Sequence, residues 1–205
     1  MAKAVTKRHG PTQDRARATR ERILDTAAQL FGERGIANTS TNRIATEAEV
    51  SIGTVYRYFA DRDMIVDELL ARMMNTIEYR FSEQATRLGS EPLPHLVTSI
   101  LETLSSELVA NAPLVRALAA ELQFYSTGLP DFEPRMRALV AGFLGRVLGP
   151  EPADRTYDMM AYVLVNTGFA VILRTASPEF DDNKRARVVA VTAEMITAWI
   201  QRRST

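Results

Sequence analysis

The sequence contains no cysteine, which excludes disulfides, thiol nucleophiles and thiolate metal sites and is compatible with a reducing cytoplasm. Histidine is nearly as scarce. His9 and His95 are the two imidazoles, and neither has a second histidine at helical spacing, as a zinc site on a helix would require. They are read as a tail residue and a helix-surface residue, so no metal and no cofactor is expected. Long hydrophobic runs are also missing. The longest stretch without charge, Met159 to Leu173, is 15 residues, short of the roughly 20 that span a bilayer. The amino terminus lacks the apolar core of a signal peptide. The expectation is a soluble, cytoplasmic chain with no membrane partner.

Net charge is absent too: 25 Lys and Arg balance 25 Asp and Glu. A zero total can hide an uneven distribution. Residues 1–62 hold 11 basic and 7 acidic side chains, an excess of +4, and the remainder carries the matching −4. With 205 residues and 46% hydrophobic content, the chain can bury a real core as one domain, or as one plus a small module.

Residues 1–16 are basic, polar and without period, and are expected to form a mobile arm. From Arg17 a helix is expected, with Ile23, Leu24, Ala27, Ala28, Leu30 and Phe31 in one apolar stripe and Gly35 ending it. Thr39, Ser40 and Thr41 offer caps to a short second helix that turns Ile44, Ala45 and Ala48 inward. A third short helix covers VSIGTVYRYF, and Asp61 caps a long helix over residues 61–88. Five further helices follow, divided by Pro and Gly punctuation at Ser90 to Pro94, Asn111 to Pro113, Thr127 to Pro130, Gly149 to Pro152 and Ser177 to Asp182. The expected architecture is all-α with about nine helices. Its last two helices are apolar nearly all round, so each needs cover on more than one side, and a second copy of the chain supplies it.

Thr41 to Ala48 and Ile52 to Phe59 have the spacing of a helix-turn-helix, over about residues 40–59. The second helix of such a unit lies in the DNA major groove. That placement accounts for a segment whose β-branched and aromatic residues suggest a strand: Val55 and Phe59 anchor it, while Thr54, Tyr56, Arg57 and Tyr58 face outward. Gly53 permits close approach of phosphate, and the tyrosines combine hydroxyls for phosphate with flat faces for sugar or a thymine methyl. Arg57 can pair with guanine. Arg62, at the start of the next helix, can bind phosphate.

The stretch Thr19 to Met73, densest at TEAEVSIGTVYRYFADRD, resembles the DNA-binding domain of the TetR family of transcriptional regulators. The resemblance implies a three-helix DNA-binding domain over residues 17–62, then an effector-binding and dimerisation domain over 63–205. It also implies that Thr41 touches phosphate, that Asn42 reaches a base, that Ser51, Gly53, Thr54, Tyr56 and Tyr58 lie at the DNA, and that Arg57 contributes sequence choice. Two positions depart from the family pattern. Glu49 stands where Gly is common in the tight turn, and Arg62 replaces a frequent Lys.

The function implied is a regulator, a repressor in the first instance, that binds a palindromic operator as a homodimer through its last two helices. A small hydrophobic effector would release it. Candidate lining for the effector comes from Met73, Ile77, Leu104, Leu118, Leu122, Tyr125, Met160, Leu164 and Phe169, with Gln123, Asn166 and Thr167 as polar anchors. The alternative is a helical dimer that binds a partner or metabolite and retains a degenerate helix-turn-helix. No nucleophile, base and electrophile stand together as an enzyme would need, so no catalytic residue is assigned.

Overall fold

The computed structural model describes residues 11–121, 132–150 and 156–203. Among them the regular structure is nine helices and no strand. The chain divides into two compact units inside the fourth helix, at Leu69 and Leu70, seven residues beyond the boundary expected at 62.

The first unit starts with α1 (Pro11–Arg34). Helix therefore begins six residues before Arg17, inside the segment expected as an arm without period; the rest of that segment lies outside the described residues. Proline suits a first helical position because its missing N–H has no intrahelical partner there. The Asp14–Arg17 pair at 3.7 Å and the Thr19 hydroxyl on the Arg15 carbonyl at 2.9 Å accompany these polar turns. Further along, Ile23, Leu24, Ala27, Leu30 and Phe31 are all buried, the stripe that the 3.6-residue period requires. Truncating Phe31, which is fully buried, to alanine costs about 3–5 kcal/mol by the usual cavity penalty. Gly35 ends the helix at φ +81, donating to the Phe31 carbonyl at 2.9 Å.

Next come α2 (Thr41–Glu47) and α3 (Ile52–Tyr58). The Ser40 side chain caps α2 by accepting from the Arg43 N–H, and Ser51 caps α3 by accepting from the Thr54 N–H. Ile44, Ala45, Ala48, Val55 and Phe59 are buried between these helices and α1. At α4 (Arg62–Ala85), Asp61 accepts from the Met64 N–H at 2.8 Å. Ile65 and Leu69 complete the buried set of this unit.

The second unit holds the rest of α4 and α5 (Leu93–Ala110), α6 (Ala112–Glu121), α7 (Phe132–Leu148), α8 (Thr156–Arg174) and α9 (Asp182–Gln201). α7 packs on α8, and α5 packs on both α9 and α8. One apolar cluster runs through them, with Phe81, Leu96, Ile100, Leu144, Ile172 and Ile200 among its members. Each such side chain contributes roughly 1.5–3 kcal/mol through burial. Polar ties register the helices at the edges: Arg135 pairs with Glu78 and Arg137 with Asp158. Arg80 bonds Glu83 and, on α5, Glu107, each at 3.3 Å, which raises its guanidinium above the ordinary arginine value. Inside, Ser105 and Thr175 share a hydroxyl bond of 2.8 Å, and Thr175 also bonds the Ile172 carbonyl.

Candidate nucleic-acid interface and ligand cavity

The turn between α2 and α3 decides how the motif is built. Glu49 has φ +52, the single positive φ among described residues other than glycine. Its N–H donates to the Thr46 carbonyl at 3.1 Å, and the Val50 N–H donates to the Ala45 carbonyl at 3.0 Å. Those two bonds are the six-to-one and five-to-two pair of a Schellman cap, which needs a left-handed residue between them. The turn thus keeps the glycine conformation with a glutamate in it, at a cost of about 1 kcal/mol.

That turn delivers α3 with Val55 and Phe59 buried and Tyr56 53% exposed. Arg57 is also exposed, and its guanidinium lies 5.2 Å from the centroid of the Tyr58 ring, within cation–π range. The Tyr56 hydroxyl reaches Thr41 Oγ1 at 3.2 Å, which ties the middle of α3 to the first residue of α2. Asn42 is exposed beside Thr41. The Ser51 and Thr54 hydroxyls are 2.9 Å apart, and Ser51 Oγ also accepts from the Thr54 N–H at 3.1 Å, so this pair is engaged in holding the first turn.

Gly53 is exposed, and a Cβ added there would meet only Ser51 Oγ at 3.8 Å. Neither backbone angle nor packing within the chain requires glycine, although glycine in a helix costs up to about 1 kcal/mol against alanine. Arg62 lies apart in its bonding. It donates from Nη1 to the carbonyls of Ile36 at 3.1 Å and Ala37 at 3.4 Å, and so staples the α1–α2 loop to the start of α4. Residue type at position 62 signals a cation but not its partner, which is why sequence reasoning placed it on phosphate.

Residues 23–69 match the family model described as bacterial regulatory proteins, tetR family. That match assigns this segment of the chain to a TetR-type domain. It is 32% identical over 130 residues to the HTH-type transcriptional repressor KstR2 of Rhodococcus jostii, covering 61% of this chain and 63% of that one. The chain spans less than two thirds of the length of this and other curated relatives. Among solved structures, a TetR-family regulator from Streptomyces coelicolor is similar at TM-score 0.64 and 25% identity, over 90% of this chain and 98% of that chain. The fatty acid degradation regulator FadR from Bacillus halodurans shares the fold at TM-score 0.68 and 17% identity, over 93% and 96%. The TetR-type fold therefore extends through the second unit.

That unit holds a partly open cavity of about 100 Å³ among α4, α5, α7, α8 and α9. Of the expected lining residues, Ile77, Leu104, Leu164 and Phe169 meet at it. Leu118 and Met160 are buried elsewhere, and Met73 is half-buried against the apolar cluster. Asn166 and Thr167 are exposed, and the Asn166 amide donates to the Tyr162 carbonyl at 2.8 Å, so neither anchors a ligand in this cavity. Leu122, Gln123 and Tyr125 lie outside the described residues. Phe81, Met136, Phe143, Gly168, Ile196 and Ile200 are among the lining residues that sequence reasoning missed. Helical period marks all of these except Gly168 as inward-facing, but period alone does not separate a cavity wall from a filled core.

Proposed function

We propose that the chain is a sequence-specific transcriptional regulator, a repressor that binds a palindromic operator as a homodimer and is released by a hydrophobic effector. The observation that carries this reading is the outward face of α3: Tyr56 bridged to Thr41, Arg57 stacked on Tyr58, and an open Gly53. Two hydroxyls that share one hydrogen bond retain one proton to donate outward, which suits a phosphate oxygen. Arg57 supplies a forked donor that matches O6 and N7 of guanine. Arg62 positions the α1–α2 loop in this reading, and Thr41, Tyr56, Tyr58 and backbone at Gly53 take the phosphates.

The partner surface is assigned to α8 and α9. Met159, Tyr162 and Val163 on α8 and Val191 and Met195 on α9 are large apolar side chains left exposed. Among the described residues α8 is also the one helix long and apolar enough to cross a bilayer. Its opposite side buries Tyr157, Met160, Val165 and Ile172, so a second copy covering the outer side accounts for the pattern without a membrane, and a cytoplasmic location follows from the DNA-binding role.

Coupling is assigned to α4, which supplies Ile65 and Leu69 to the buried set of the first unit and Ile77 and Phe81 to the cavity of the second. An effector dissociates the complex only if it binds better to the conformation that fits DNA worse. A direct test is binding of purified protein to labelled duplex DNA across a salt series. The reading expects affinity to fall with salt and to be lost in Tyr56→Ala. Equal binding by both proteins overturns it.

A further inference from the structure

Resting on the reading of the second unit as an effector domain, we propose that its cavity admits a small uncharged hydrocarbon group against the bare backbone of Gly168, the residue that sets its volume. Gly168 is buried in the interior of α8 and lines the cavity, yet an added Cβ there meets no heavy atom within 4 Å. Glycine weakens a helix, and here neither a positive φ nor a close neighbour calls for it. Gly142 and Gly145 on α7 have similar room, but they are exposed and half-buried; Gly168 is buried and lines the cavity. What glycine preserves at this position is space.

The chemistry of the walls selects the occupant. All lining residues are apolar. The neighbouring buried hydroxyls of Ser105 and Thr175 are bonded to each other and to the Ile172 carbonyl, leaving an incoming charge no counter-ion among the lining side chains. Burying an ionised group without a partner is strongly unfavourable. At about 100 Å³ the space is somewhat smaller than the roughly 150 Å³ apolar cavity known to stay dry and bind benzene. A ring or a short alkyl segment is thus the size of the inserted group. Phe81 and Phe143 stand edge-to-face at 6.1 Å in the wall, which offers such a group both a ring edge and a ring face.

Thermal denaturation of the full chain with benzene, benzoate or benzylammonium at equal concentration tests the proposal, because a ligand that binds the folded state raises the melting temperature by mass action. Benzene is expected to raise it, and the two ions are not. Without ligand, Gly168→Ala is expected to melt higher than the parent; Gly168→Leu is expected to fold and to lose the benzene shift. A shift by either ion equal to that by benzene overturns the proposal, as does an undiminished benzene shift in Gly168→Leu or a lower melting temperature in Gly168→Ala. If Gly168→Leu does not fold, the Gly168→Ala comparison decides. None of these readouts involves DNA, so a failure here is distinct from a failure of operator binding.

Discussion

The hydroxyls of Thr41 and Tyr56 lie 3.2 Å apart, joining the first residue of α2 to the centre of α3 across fifteen positions of sequence. A shared bond of this kind holds the tyrosine ring on the outer face before any nucleic acid arrives. Removing either hydroxyl removes the pair as a unit. Tyr56→Phe and Thr41→Val are each expected to weaken DNA binding about fivefold, the equivalent of one hydrogen bond. The double variant should lose less than the sum of the two, as coupled neighbours do. Fluorescence anisotropy on one operator duplex measures all three.

Glu49 supports the opposite kind of expectation, a gain. Its left-handed backbone serves a cap that glycine forms without steric penalty. Glu49→Gly should stabilise the first unit by about 1 kcal/mol, read from the urea midpoint at unchanged slope. A loss of stability would show that the glutamate side chain contributes a contact outweighing the strain.

Gly53 separates folding from binding. Its Cβ position is open, so Gly53→Ala should leave the fold intact and add up to about 1 kcal/mol of helix stability. The same methyl stands where phosphate is proposed to approach, and DNA affinity should fall. Unfolding and anisotropy on the same preparation check both halves; unchanged affinity removes Gly53 from the interface.

The outer stripe of α8 and α9 is tested by charge. Met159 is 62% exposed and Met195 53%, so Met159→Glu or Met195→Glu should leave helical content unchanged in the isolated subunit. Either places a carboxylate at the proposed seam, where burial without a partner is costly. Sedimentation should show the dimer giving way to monomer. A variant that remains as dimeric as the parent moves the interface elsewhere.

Much of this is legible in the sequence. The buried stripe of α1 follows from 3.6-residue spacing, and Ser40 stands where a cap belongs, whereas Ser51, read as a DNA contact, is also the cap of α3. The anchoring of α3 by Val55 and Phe59 was readable because two bulky residues four apart share one helix face. Other features depend on tertiary partners that spacing does not encode. Pro11, read as part of an arm, begins α1, because proline suits a first helical position as well as a loop. Arg62 is a cation whose acceptors, the carbonyls of Ile36 and Ala37, lie about 25 residues away. Asn166 reads as a buried amide inside an uncharged run, but it faces outward and bonds Tyr162 on its own helix. The cavity was half legible: Ile77, Leu104, Leu164 and Phe169 fall on inward faces, whereas Gly168 has no side chain to mark it and is visible only as space.

Selection of binding sites from random duplex DNA by the purified chain tests the central claim most directly. The account predicts enrichment of an inverted repeat whose half-sites are centred roughly 34 Å apart or slightly more, as two recognition helices on one face of the duplex require. The same selection with Tyr56→Ala should enrich nothing. Recovery of unenriched sequence by the parent protein, or of the same repeat by both proteins, would contradict the account.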